Sequence, residues 1–210
     1  MSYSQYQEDL IIAEIFANHN QHTGRLLDIG SWDPIEKSNS RLLIEQGWSA
    51  VLIEPSPTAL RNLIAAYGPR FVRKPGQEIH VLGAAVGVEA GLVKMAITDD
   101  AVSTSDPKVA ELWKDAGGYV GYGWFPAMTL GNVFDRFGGP YDFVNIDAEG
   151  LSVELLKELL KTKAYPRVIC CEHDGRIQEI MTAVSPFGYT AKVANADSAG
   201  TNIILEHRRA

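Results

Sequence analysis

Cysteine is nearly missing from this 210-residue chain, and its only two copies, Cys170 and Cys171, stand side by side in an apolar stretch. Sequence neighbours close a disulfide only with strain, so a disulfide-stapled secreted scaffold is excluded. The thiols are expected as buried core groups in a reducing, cytoplasmic setting. Long hydrophobic runs are lacking too. Stretches such as Val168–Cys171 end after a few residues, far short of the roughly 20 that a membrane span needs. No basic leader followed by an apolar stretch opens the chain, so no secretory signal is expected. Positive charge is short as well: 19 Lys and Arg stand against 26 Asp and Glu, a net charge of −7. With no local basic patch to offset that sign, nucleic acid and membrane are not expected as partners. The Gly-Lys-Ser/Thr loop of phosphoryl transfer and the G-x-S-x-G elbow of serine hydrolases are absent.

What is present suits a folded domain. Hydrophobic residues make up 46% and charged residues 21%, which excludes disordered, collagen-like and coiled-coil chains. The length matches one domain, with no repeat or linker of distinct composition. Tyr6, Leu10, Ile11, Ile15 and Phe16 recur at helical spacing, and Ser4 with Gln7 reads as a capping box, so residues 1–24 are expected to hold an N-terminal helix. Arg25 to Gly30 then reads as strand, Ser40 to Gln46 as helix, Ala50 to Glu54 as strand, Pro57 to Tyr67 as helix and Ile79 to Val86 as strand. This alternation points to a parallel sheet covered by helices on both faces. Leu92 to Ile97 is expected as an extra strand antiparallel to its predecessor, Asp106-Pro107 opens a short helix, and Gly117 to Phe125 reads as a loop. Thr129 caps a helix to Phe137. Tyr141 to Ile146, a helix from Leu151, Arg167 to Glu172 and a helix from Arg176 follow. Tyr189 to Val193 and Asn202 to Glu206 close the chain as an antiparallel pair joined through Asn195 to Gly200.

In an open α/β sheet, ligands bind beyond the carboxyl ends of the strands where the order reverses. The first strand ends in Asp28-Ile29-Gly30-Ser31-Trp32-Asp33 and the second in Glu54-Pro55-Ser56-Pro57, with 26 residues from Asp28 to Glu54. That separation is near the roughly 20 between a nucleotide-binding turn and its ribose acid. A dinucleotide fingerprint fails, because a G-x-G-x-x-G frame would put Asp28 and Asp33 at glycine positions. Two carboxylates there repel a pyrophosphate by about 1 kcal/mol per pair at 4 Å even in water. They suit a nucleoside that carries an ammonium and a sulfonium, as in S-adenosylmethionine. Glu54 would take the ribose hydroxyls, Gly30 would allow close backbone approach, Asp28 or Asp33 would face the positive amino-acid end, and the small Gly83-Ala84-Ala85 stretch would leave room for adenine. The alternative is that Asp28 caps the next helix and Glu54 is a solvated strand end.

Leu27-Asp28-Ile29-Gly30, Asp33, Ser38-Asn39-Ser40, Gly47-Trp48, Ile53-Glu54-Pro55-Ser56-Pro57 and Asn145-Ile146-Asp147-Ala148-Glu149-Gly150, followed by Glu154-Leu155-Leu156, together resemble the FkbM-like S-adenosylmethionine-dependent methyltransferases. The resemblance runs from Ser4-Gln5, with Glu8-Asp9, to Asn202. It implies a Rossmann-like, doubly wound α/β fold: a mostly parallel seven-stranded sheet with the last strand antiparallel and helices on both faces. It also implies methyl transfer to a hydroxyl of a small-molecule or sugar-like acceptor, with S-adenosylhomocysteine as product. The cofactor residues it implies are Asp28, Gly30, Ser31, Asp33, Ser38, Asn39, Glu54, Pro55, Ser56, Ala84, Ala85 and Asp147. Pro34 departs from the family's usual glycine and stiffens that loop.

A neutral alcohol must lose its proton to be methylated, and Asp147, Glu149 and His173 are the candidate bases at the sheet edge. Each also has a structural reading: Glu149 as a first-turn acid favoured by the helix dipole, His173 as a strand-end group bonded to backbone. Asp147, Glu149, Glu172 and His173 form an oxygen- and imidazole-rich group of the sort that holds a divalent ion, although adjacent strand residues point to opposite faces and no metal is favoured. Residues 98–128, with Val102 to Ser105 and the aromatics Tyr119, Tyr122, Trp124 and Phe125, are expected as a lid or substrate insertion, or else as a contact in a homodimer. The competing functions are an inactive nucleoside-binding module of the same fold and a nicotinamide-dependent oxidoreductase.

Overall fold

The computed structural model describes residues 1–98, 103–114, 119–194 and 202–208. Helix α1 (Glu8–Asn18) leads into β1 (Arg25–Ile29), α2 (Arg41–Gln46), β2 (Ser49–Ile53), α3 (Pro57–Tyr67) and β3 (Ile79–Leu82). After β4 (Ala85–Val86), β5 (Gly91–Thr98), α4 (Pro107–Lys114) and β6 (Tyr119–Met128), the winding resumes with α5 (Leu130–Phe137), β7 (Phe143–Ile146), α6 (Ser152–Lys161), β8 (Val168–Glu172) and α7 (Ile177–Val184). Strands β9 (Tyr189–Ala194) and β10 (Asn202–His207) complete it. The main sheet has seven strands in the order β3-β2-β1-β7-β8-β10-β9. Only β10 runs against its neighbours. This is the Rossmann-like α/β architecture, with the strand order reversing between β1 and β7.

Side-chain alternation divides the buried residues between the two faces. Leu27, Ile29, Val51, Ile53, Val144, Ile146, Ile169 and Cys171 pack beneath α5, α6 and α7. Leu26, Ala50, Leu52, Phe143, Val168 and Cys170 pack against α1, α2 and α3. Both faces are covered, so β1, β2, β7 and β8 are mostly apolar rather than alternating, as in parallel sheets, with polar residues such as Asp28 and Asn145 toward the site end. Both cysteines are buried and unbridged, and among the described residues no helix is long and apolar enough to cross a membrane.

Three local expectations are overturned. Ser4 and Gln7 form no capping box: Gln7 is the N-cap residue with φ 67° and no side-chain cap bond. Instead the buried Asp9 carboxylate accepts from Ser2 Oγ, the Tyr3 amide and Ser4 Oγ at 2.6–2.8 Å, because a charged acceptor holds several donors at once. Ile79 to Val86 is two strands, since β4 leaves the main sheet to pair with β6. The expected glycine–aromatic loop is largely strand β6, paired antiparallel with β5 rather than leaving β5 to pair with its predecessor. Glycine hides the alternation there. A Cβ on Gly123 would lie 2.7 Å from the Phe125 ring and 2.8 Å from Ile97 Cδ1, so glycine occupies positions where a larger residue would normally reveal the period. Val102 and the Asn195–Gly200 connection lie outside the described residues.

Candidate functional site

The site forms where β1 and β7 diverge at their carboxyl ends. Gly30 leaves β1 with φ +78°; its amide donates to Ile53 O on β2, and the Asp147 amide donates to Ile29 O, both at 2.9 Å. This laces the ends of three strands together. Behind the turn, the buried Asp28 carboxylate accepts from Ser40 Oγ at 2.5 Å and Asn145 Nδ2 at 2.9 Å. Asn39 Nδ2 donates to Asn145 Oδ1 at 3.0 Å. Ser31 Oγ donates to the Asp28 carbonyl at 2.9 Å. Each Asp28 oxygen thus holds one side-chain donor, and burial raises its carboxyl above the usual range.

Glu54 is held differently. One oxygen accepts the Trp32 amide at 3.0 Å and the other the Ser56 amide at 2.7 Å. Each oxygen keeps further accepting capacity. Burial, aided by the charges of Asp28 and Asp147, pushes its carboxyl up to about 7. Asp147 is raised to about 6 by burial and by Asp28 and Asp174, and Glu172 is raised by burial and by Asp147 and Glu149. These three carboxyls bind more protons folded than unfolded, so stability falls as pH rises above about 4: Asp147 and Glu54 lose their share by about pH 7, and Glu172 goes on losing its share above that. Glu154, Glu179 and Glu206, held low by Arg176, Lys157, Lys192 and His19, lose their contribution only below that window. The ligand-free protein should therefore melt about 5 °C higher at pH 5.5 than at pH 8, and Glu54→Gln should flatten the difference. A melting temperature that does not change over this range would contradict the burial of these acids.

An open cleft of about 1080 Å³, counted out to its mouth, lies over these groups. Asp28, Gly30, Ser31, Ser38, Asn39, Glu54, Pro55, Ser56, Ala84, Ala85, Asp147 and Glu149 all line it. Asp147, Glu149 and Glu172 each bring an oxygen within 4.8 Å of the others. Glu149 sits at φ 34°, and its carbonyl accepts from Thr104 Oγ1 at 2.6 Å.

No family model matches the chain, and no curated protein sequence does. Among solved structures, the methyltransferase FkbM from Methylobacillus flagellatus KT superposes with a TM-score of 0.54 at 14% identity, over 88% of this chain and 44% of that one. That structure and this chain share the Rossmann-like α/β fold. The chain spans less than half the length of that protein. A putative methyltransferase, yhhF from Escherichia coli, aligns at 0.47 and 13% identity over 99% and 88% of the two chains. An O-methyltransferase from Bacillus cereus in complex with SAH aligns at 0.44 and 13% over 96% and 80%. At these lower TM-scores, neither adds to the fold assignment.

Two expected site residues stand apart from the cleft. Asp33 does not line it; its Oδ1 accepts the Ile35 and Glu36 amides at 2.8 and 2.9 Å, a local turn that a short carboxylate closes more readily than it reaches a ligand. His173 is 1% exposed and also off the lining. Beyond β8 the chain turns through Asp174 and Gly175 at positive φ, and His173 Nδ1 accepts the Gly175 amide at 2.9 Å. The imidazole member of the expected ion-binding group is thus not in the carboxylate cluster. Ser103, Thr104 and Ser105 reach the cleft, but Tyr122 and Trp124 do not and are 60% and 67% exposed. The Tyr119 side chain lies outside the described residues. Sequence reasoning missed Gln5, Lys37, Met95 and Asn202 on the lining. Only Lys37 carried a signal, as a lone cation in an acid-rich turn. Pro34 is buried behind that turn.

Proposed function

We propose that this chain is an S-adenosylmethionine-dependent methyltransferase whose acceptor is a hydroxyl of a small molecule. The observation that carries the reading is Glu54: a carboxylate at the end of β2, oriented by the Trp32 and Ser56 amides, facing the Gly30 turn at the point where strand order reverses. A carboxylate so placed suits two vicinal ribose hydroxyls. Asp28, Asp147 and Glu149 line the same cleft, and this charge disfavours a dinucleotide pyrophosphate while favouring a cationic nucleoside. The fold shared with methyltransferase FkbM supports it.

In this reading, Ala84 and Ala85 leave a flat place for adenine, the Gly30-Ser31 backbone approaches the ribose, and Asp147 takes the ammonium. Ser38, Asn39, Pro55 and Ser56 shape the walls. S-adenosylmethionine supplies an electrophilic methyl group on a sulfonium. With Asp147 engaged by the ammonium, Glu149 is the carboxylate that would take the acceptor's proton as its oxygen bonds to the methyl carbon and the carbon–sulfur bond breaks. Positioning supplies most of the remaining rate. Calorimetric titration with S-adenosylhomocysteine tests the reading: micromolar binding is expected, and binding no tighter than about millimolar would overturn it.

A further inference from the structure

The amino-acid end of S-adenosylmethionine is a zwitterion, and the carboxylates of the cleft answer only its positive half. Among the described residues, the charged side chains that line the cleft are those of Asp28, Glu54, Asp147, Glu149 and one cation, Lys37. Lys37 makes no ion pair with another described residue, and its Nζ stands 5.2 Å from the centroid of the Trp32 ring. Both residues adopt left-handed backbone angles, φ 55° for Lys37 and φ 37° for Trp32, which non-glycine residues adopt at a cost and only where neighbours hold them. The neighbours here are identifiable. Glu54 binds the Trp32 amide, Asp33 closes the turn on the Ile35 and Glu36 amides, and the Ser38 amide donates to Tyr3 O at 3.1 Å. The same bonds that orient Glu54 thus place Lys37 on the cleft wall that Asp147 also lines, and its charge opposes the rise of the Asp147 carboxyl.

Resting on the function proposed above, we propose that Lys37 is the anion contact of the site, binding the α-carboxylate of the cofactor while Asp147 binds its ammonium. The residue then sets specificity for an intact amino-acid end. A cleft with acids alone would hold a decarboxylated, doubly cationic analogue as well or better. Lys37 disfavours that analogue by like charge and favours the zwitterion by a charge-assisted hydrogen bond.

The two ligands separate this role from a structural one. Titrated with S-adenosylmethionine, Lys37→Met should bind about tenfold more weakly than the parent, while Lys37→Arg should stay within about threefold. For decarboxylated S-adenosylmethionine, Lys37→Met should bind equally well or more tightly, because a repulsion has been removed. Undiminished binding of S-adenosylmethionine by Lys37→Met overturns the assignment to Lys37 and leaves the nucleoside reading intact. Equal weakening toward both ligands also overturns it, since that marks a residue that only shapes the turn. If the parent chain binds neither ligand, the nucleoside reading falls and this assignment with it.

Discussion

Gly30→Ala is expected to prevent the chain from reaching its native structure, or to leave it several kcal/mol less stable. A Cβ built on Gly30 lies 1.7 Å from the Asp147 carbonyl oxygen. That is far inside van der Waals contact, and the opposing atom is backbone, with no rotamer to yield. The φ of +78° adds a further cost of about 1 kcal/mol for any L side chain. Relief requires β1 and β7 to separate at their carboxyl ends. Such a movement strains the bonds from the Asp147 amide to Ile29 O and from the Gly30 amide to Ile53 O, and opens the register that pairs Ile29 with both Ile53 and Ile146. These residues are at most 2% exposed, so lost packing adds to lost hydrogen bonds. The sum is at least about 3 kcal/mol, a large part of the roughly 5–15 kcal/mol that holds a domain together. Urea unfolding followed by circular dichroism measures it, and a midpoint matching that of the parent would show that the strand ends are not clamped as described.

The second large effect is on binding. Glu54→Ala should weaken S-adenosylhomocysteine by about 10–150-fold, the equivalent of 1.5–3 kcal/mol for hydrogen bonds to a charged group. Glu54→Gln keeps the volume but not the accepting capacity. Its one carbonyl oxygen must serve the Trp32 or the Ser56 amide, while its NH₂ faces the other donor, so little remains for a ribose diol. Both variants should lose affinity, and a folded Glu54→Gln protein that binds like the parent would remove Glu54 from the site. The contrast with Asp28 is instructive. Asp28 also has one donor on each oxygen, but its donors are the side chains of Ser40, ahead of α2, and Asn145 on β7 rather than loop amides, so it ties α2 and β7 to β1.

Near-continuous apolar runs at residues 25–29, 49–53, 143–146 and 168–172 mark interior parallel strands because both faces of each are buried. Glycines and polar residues just past them mark the edge where ligands bind. Glu54 and Asp147 were legible for that reason: they are strand-terminal, and a strand's end predicts where its last side chain emerges. Asp33 and His173 were legible only as types. Their carboxylate and imidazole are as well satisfied by amides two or three residues away as by a ligand, and nothing in their spacing distinguishes the two uses. The glycine–aromatic stretch of β6 was hidden because glycine carries no side chain to report which face is buried.

The chain's sequence therefore determines its architecture and its acidic edge, since hydrophobic period and strand-end chemistry are local properties written in order along the chain. Which acids face the cleft, and that Lys37 stands among them beside Trp32, was decided only in three dimensions. Those outcomes depend on the Asp28–Asn145–Asn39 hydrogen bonds and on backbone angles in a turn, where residues 106 positions apart must meet before either side chain has a direction.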